Sequence, residues 1–177
     1  MNTLDALMNR RSVRKFQDRK VPQEAVKQLL QAAMAGPSAV NARPWQFVVV
    51  DDRETLDKMA DGNGRAAQLL KGAPLAVLLC GDTDKAFKMA PDYWIVDLGI
   101  ASQNMVIAAE ELGLGSVDLG TWPQEEKISA QREVLGLPEN VIPFLIIAFG
   151  YPEEGFERGA RPDRPEFDES SVHYNKW

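Results

Sequence analysis

The chain has 177 residues, enough for one domain of ordinary size and too few for two independent cores. Hydrophobic residues make up 45% and charged residues 26%, a globular composition that excludes disorder of the whole chain. With 20 Lys and Arg against 26 Asp and Glu the net charge is −6, which disfavours a general attraction to nucleic acid or anionic lipid and requires any anion site to be local.

The single cysteine, Cys80, lies in an apolar run, so it offers neither an intramolecular disulfide nor a Cys-based metal site and reads as an inert core residue. One histidine, His173, cannot build a multi-His metal centre, and no metal is expected. The start lacks the basic and apolar regions of a signal peptide, and the most apolar stretch, 94–112, is interrupted by Asp97, Gln103, Asn104, Glu110 and Glu111. These features suggest a cytoplasmic protein.

In chain order, Thr3 opens a short helix carrying Leu4, Leu7 and Met8 on one side, which runs into Arg10 and Arg11. Pro22 starts a second helix with Val26, Leu29, Leu30, Ala33 and Met34 at helical spacing, and Gly36 and Pro37 stop it. A buried strand is predicted over 45–50, followed by a helix capped by Asp51 or Asp52 with Leu56, Met59 and Ala60 on its inner side. A second buried strand covers 75–80. The segment 93–112, closed by Gly113, is apolar nearly all round and reads as a central helix packed on several sides, in which Asp97 needs a partner. A short strand at 116–119, a helix at 123–135 ended by Gly136 and Pro138, and a third buried strand at 144–149 follow. The last 26 residues hold three prolines and 11 charged residues without a clear period, the pattern of an extended arm, tipped by Tyr174 and Trp177.

Two stretches could carry chemistry. Six basic residues and one acid lie between Arg10 and Lys20 in an otherwise acidic chain. If the segment is extended, Arg10, Ser12 and Arg14 project from one face, because side chains alternate along an extended backbone. Two guanidinium forks and a hydroxyl suit a phosphate; the alternative is a solvated basic loop. The second stretch, 36–45, joins a helix end to a strand. It is either turn chemistry with Trp45 anchored in the core, or a short loop on which Ser38 and Asn41 read the donors and acceptors of a planar heterocycle.

Several pieces, in order, resemble the FMN-dependent nitroreductase family over nearly the whole length. They are Arg10-Arg11-Ser12-Val13-Arg14-Lys15-Phe16, Pro37-Ser38-Ala39-Val40-Asn41-Ala42-Arg43-Pro44-Trp45, Asp97 to Met105, Glu111-Leu112-Gly113-Leu114-Gly115-Ser116, the strand ending in Gly150-Tyr151-Pro152, and an arm bearing Arg161 and Arg164. The resemblance implies an α+β fold in one domain spanning 1–177, with a mixed, mainly antiparallel sheet flanked by helices and an extended C-terminal arm over 152–177. It implies a homodimer with FMN at the interface and an oxidoreductase moving electrons from NADH or NADPH to a nitroaromatic, quinone or related small electrophile by a ping-pong mechanism. Ene reduction, reductive dehalogenation or a non-enzymatic flavin-binding module are the alternatives.

On that resemblance Arg10, Arg11 and Ser12 hold the flavin phosphate and ribityl chain, and Arg14 sits at the N1 and O2 edge. Pro37, Ser38, Ala39 and Asn41 come from the second subunit. Leu119 and Gly120 lie by N5, with Leu119 in place of the family's frequent acidic residue, so its contacts are backbone only. Arg161 and Arg164 close on the phosphate, and either Arg65 or Lys71 supplies a further cation. The stretch 81–92 is shorter than the family's frequent insertion over the flavin face.

Overall fold

The computed structural model describes residues 3–157, 159 and 167–177. Its centre is one four-stranded antiparallel sheet built from β1 (Trp45–Val50), β2 (Leu75–Asp82), β3 (Gly115–Gly120) and β4 (Val141–Gly150), in the order β1-β2-β4-β3. The helices are α1 (Thr3–Asn9), α2 (Gln23–Met34), α3 (Arg53–Gly62), α4 (Trp94–Glu111) and α5 (Glu125–Leu135), with a 3₁₀ stretch, Arg65–Gly72, before β2.

The sheet is covered on both faces, which explains why β2 and β4 are continuously apolar rather than alternating. Leu75, Val77, Leu79, Ile147 and Phe149 pack with α2 and α4; Ala76, Leu78, Cys80, Ile146 and Ala148 pack with α3 and the 3₁₀ stretch. Cys80 is fully buried, and that burial pushes its thiol up to about 12, so it stays protonated and unreactive.

The expected strands and helices are all present, with differences at their ends. β4 begins at Val141, three residues ahead of the expected start, because Pro143 sits at a register shift opposite Cys80, where an irregular ladder tolerates a residue that cannot donate. Asp52 is the cap of α3, accepting from the Thr55 amide at 2.9 Å. Gly136 ends α5 in the left-handed region at φ 63. Of the apolar residues on one side of α1, Leu4 is 72% exposed and Met8 56%, Leu7 is half-buried, and Ala6 is buried; Met34 of α2 is 50% exposed. Across the open end of the sheet Asp82 is held by Asn140 Nδ2 at 3.0 Å, Lys85 Nζ at 3.2 Å and the Asp84 amide at 3.2 Å. Burial pushes its carboxyl up, but these donors outweigh it and hold it below the ordinary carboxylate range.

One parallel bridge lies outside the four strands: Ser12 pairs with Ser116, with the Val13 amide donating to the Ser116 carbonyl at 2.9 Å. Val13 lies buried on Gly115, where an added Cβ would sit 2.6 Å from the Val13 Cβ. Gly115→Ala should therefore overpack this seam and cost about 1–3 kcal/mol, a fall in Tm of roughly 2–12 °C for a chain this long. In a thermal-unfolding cycle, Val13→Ala should cost less in the Gly115→Ala background than alone; strict additivity would show that the two residues do not press on each other.

Candidate functional site

The basic segment begins where α1 ends. The Arg10 amide still donates to the Ala6 carbonyl at 3.1 Å, and the Ser12 bridge then draws the chain out along β3. Because Val13 turns into the core, the alternation sends Ser12 and its even-numbered neighbours to the other side. Arg10 and Ser12 are half-buried, and Arg14 is exposed with its Nη1 3.4 Å from the Ser12 carbonyl. Arg11 leaves this group: its Nε donates to the Gly159 carbonyl at 3.1 Å, tying the N-terminal segment to the C-terminal arm.

β3 continues the site. Val117 and Leu119 are buried in the core, so Ser116, Asp118 and Gly120 occupy the opposite face, in register with Ser12. Asp118 is open at its tip yet crowded by protein. Burial pushes its carboxyl above the ordinary range, while the positive charge of Arg10 pulls the other way. At Gly120 an added Cβ would meet nothing within 4 Å, so the strand end faces open space. The Gly120 carbonyl is fixed from behind by Asn63 Nδ2 and Lys127 Nζ, each at 3.2 Å, and the buried Asn63 takes a further bond from Thr121 Oγ1 at 2.9 Å. Ser116, where Ser12 pairs, and the open end at Gly120 are thus about 13 Å apart along one strand.

The loop after α2 is built separately. Asp97, 2% exposed in the first turn of α4, accepts from the Ala39 amide at 2.9 Å; this is the partner its burial requires. The Arg43 amide donates to Ser38 Oγ at 3.0 Å, and Arg43 Nε donates to Asn41 Oδ1 at 2.8 Å. Val40, Asn41 and Arg43 all take left-handed backbone, with φ of 47, 58 and 51. For a β-branched residue such as Val40 this costs on the order of 1–3 kcal/mol, and strain of that kind collects at binding sites. Val40 itself is 71% exposed. The loop is fastened to the first turn of α4, whereas Ser12 meets Ser116 beyond the last turn, on the order of 20 Å away along the helix axis.

Lys71 pairs with Asp61 at 2.6 Å, and Arg65 is exposed at the start of the 3₁₀ stretch. Arg161 and Arg164 lie outside the described residues. His173 is exposed and stacks on Trp177 with ring centroids 4.2 Å apart. Among the described residues no group of His, Cys, Asp or Glu is arranged to hold a metal, and no helix is long and apolar enough to cross a membrane. Asp118, Asn63, Lys127 and Arg43 join the site without having been singled out from the sequence. The outward position of Asp118 in an alternating strand was a usable signal; the roles of Asn63 and Lys127 depend on contacts across 57 and 7 residues.

A groove of about 520 Å³ lies away from this chemistry, between α1, α2 and α4. It is lined mainly by Ala6, Ala32, Ala35, Ile107 and Ala108.

The family model of the nitroreductase family matches residues 7–68 and 61–151. A Methanothermobacter thermautotrophicus protein, provisionally named an NADH dehydrogenase/NAD(P)H nitroreductase, is 43% identical over 177 residues, which cover 100% of this chain and 88% of its own. A Bacillus subtilis protein named an FMN reductase using NAD(P)H is 29% identical, over 98% of this chain and 73% of its own. The solved structure of an FMN-dependent nitroreductase from Clostridium difficile R20291 superimposes with a TM-score of 0.88 at 33% identity, covering 98% of this chain and 99% of that one. In sequence and in fold alike, the chain belongs to the nitroreductase family.

Proposed function

We propose that the protein is an FMN-dependent oxidoreductase that takes electrons from NADH or NADPH and passes them to nitroaromatics, quinones or related small electrophiles. Of its relatives, one is named an NAD(P)H nitroreductase, one an FMN reductase using NAD(P)H and one an FMN-dependent nitroreductase. The observation that carries the reading is the Ser12–Ser116 seam, which holds the arginine-bearing segment along the strand that ends at the uncovered Gly120, in a chain whose net charge is −6. An elongated ligand with an anionic end and a planar end fits that arrangement.

In this reading Arg10 and Ser12 grip the phosphate and ribityl chain. Arg11 supports the grip from the arm through Gly159, and Arg14 brings a fixed positive charge to the N1 and O2 edge. Leu119 and Gly120 offer backbone only, and the absence of a Cβ at Gly120 lets a ring approach the strand. Arg161 and Arg164 are assigned to the phosphate as well. FMN, when bound, supplies the two-electron chemistry, and the side chains bind, orient and tune it.

The loop bearing Pro37, Ser38, Ala39 and Asn41 serves the flavin of a second subunit. The apolar side chains left open on α1 and α2 and the groove between them, which make a face suited to a homodimer, support this. Flavin binding and dimerisation are then thermodynamically linked. A single unreactive thiol and the acidic surface accord with a cytoplasmic location.

Arg10→Ala should weaken FMN binding by roughly one to two orders of magnitude, the loss expected for one charge-assisted contact. Riboflavin, lacking the phosphate, should lose less affinity than FMN; unchanged FMN affinity in a folded variant removes Arg10 from the phosphate grip.

Asp118 gives a pH signature. Its pKa in the folded protein is raised above 3.8, so its charged form costs stability at neutral pH, and that cost disappears as pH falls through the raised value towards 3.8. Asp118→Asn should raise Tm at pH 7, with a gain that shrinks on acidification; a gain independent of pH would point to packing instead.

Donor and acceptor use the same open face in turn, so double-reciprocal plots for NAD(P)H at several nitroaromatic concentrations should be parallel. Intersecting lines would demonstrate a ternary complex, and a protein that binds FMN yet turns over neither nicotinamide would be a flavin-binding module.

A further inference from the structure

Arg43 lies outside the residues assigned to the flavin, yet it organises two of them. It sends two hydrogen bonds back into its own loop, and both end on side-chain oxygens: the amide on Ser38 Oγ at 3.0 Å and Nε on Asn41 Oδ1 at 2.8 Å. An arginine can only donate, so the atom of the Asn41 amide that faces it must be oxygen, and a flipped amide would set donor against donor. The Asn41 NH₂ is therefore turned away from Arg43. Ser38 has likewise accepted a bond, which directs its own O–H elsewhere as a donor. The backbone holds this polarity in place, because Ala39 is fixed to Asp97 and Asn41 and Arg43 both sit in the left-handed region.

We infer that Arg43 is a positioning residue that sets Ser38 and Asn41 as hydrogen-bond donors, so that the loop recognises the acceptor atoms of a heterocycle, its carbonyl oxygens, rather than its N–H groups. The inference rests on the reading that this loop contacts flavin. Donors held against the ring carbonyls stabilise the negative charge that reduction places there, so Arg43 acts on the cofactor's potential through Asn41 without touching it. What matters is the donor at the ε position and not the charge of the guanidinium. A glutamine carries an N–H donor at the same place along its side chain, whereas methionine ends there in a methyl group.

Wild-type, Arg43→Gln, Arg43→Met and Asn41→Ala proteins would be compared as holoproteins for FMN affinity, visible spectrum and flavin midpoint potential, with Tm as the control for folding. Arg43→Met should lose up to about tenfold in affinity, shift the flavin absorption bands and lower the potential. Arg43→Gln should restore all three although the charge is gone. Equal shifts in the Gln and Met variants would overturn the inference, since charge would then be responsible. An effect of Asn41→Ala with none of Arg43→Met would overturn it alone. No effect of Asn41→Ala would instead show that the loop does not contact flavin, and the inference would fall with that reading.

Discussion

The seam between Ser12 and Ser116 is the constraint on which the rest of the site depends. A basic segment in water gains nothing from holding its arginines together, since like charges repel and long side chains lose entropy when ordered. Here the backbone does the ordering: a parallel bridge fixes the segment's direction, and Val13 pressed on Gly115 fixes which side chains turn outward. Glycine is the only residue type that permits so close an approach, so the placement of the basic segment rests on the absence of a methyl group in the neighbouring strand.

The same strand carries the site's other end. Asp118 and Gly120 follow Ser116 at the two-residue spacing of a β-strand, which aligns a cation-bearing end, a crowded carboxylate and an open backbone on one face. Asp118 is a cost to the fold in its charged form, and its neighbour Arg10 offsets part of that cost. A charge held against the preference of its surroundings is a common mark of a binding site.

α4 joins the two candidate stretches. Its first turn holds the Ala39 amide through Asp97, and the chain that leaves its last turn becomes β3. A buried carboxylate inside an apolar helix, costly when unpartnered, is here the clamp that keeps a strained loop in one shape. In this loop Arg43 donates to Ser38 Oγ and to Asn41 Oδ1, which turns the Asn41 NH₂ away from it.

The sequence by itself determined most of the fold, because its signals were local. Hydrophobic period located α2, an all-round apolar run located α4, short buried apolar runs located the strands, Asp52 and Gly136 marked helix ends, and the resemblance to the nitroreductase family rested on short motifs in order. It also marked Arg10, Ser12, Arg14, Ser38 and Asn41 as residues to watch. The boundary of β4 escaped it because Pro143 reads locally as a strand breaker, and only the irregular ladder opposite Cys80 makes room for it. The outward turn of Leu4 and Met8 escaped it because helical spacing defines a stripe but not what that stripe meets. Tertiary structure decided that Arg11 parts from its neighbours to reach Gly159, that the charge of Arg10 is felt at Asp118, and that Asn63 and Lys127 fix Gly120 from behind. Each of these depends on how separate segments pack, and a one-dimensional pattern specifies the face of an element but not the groups packed against it.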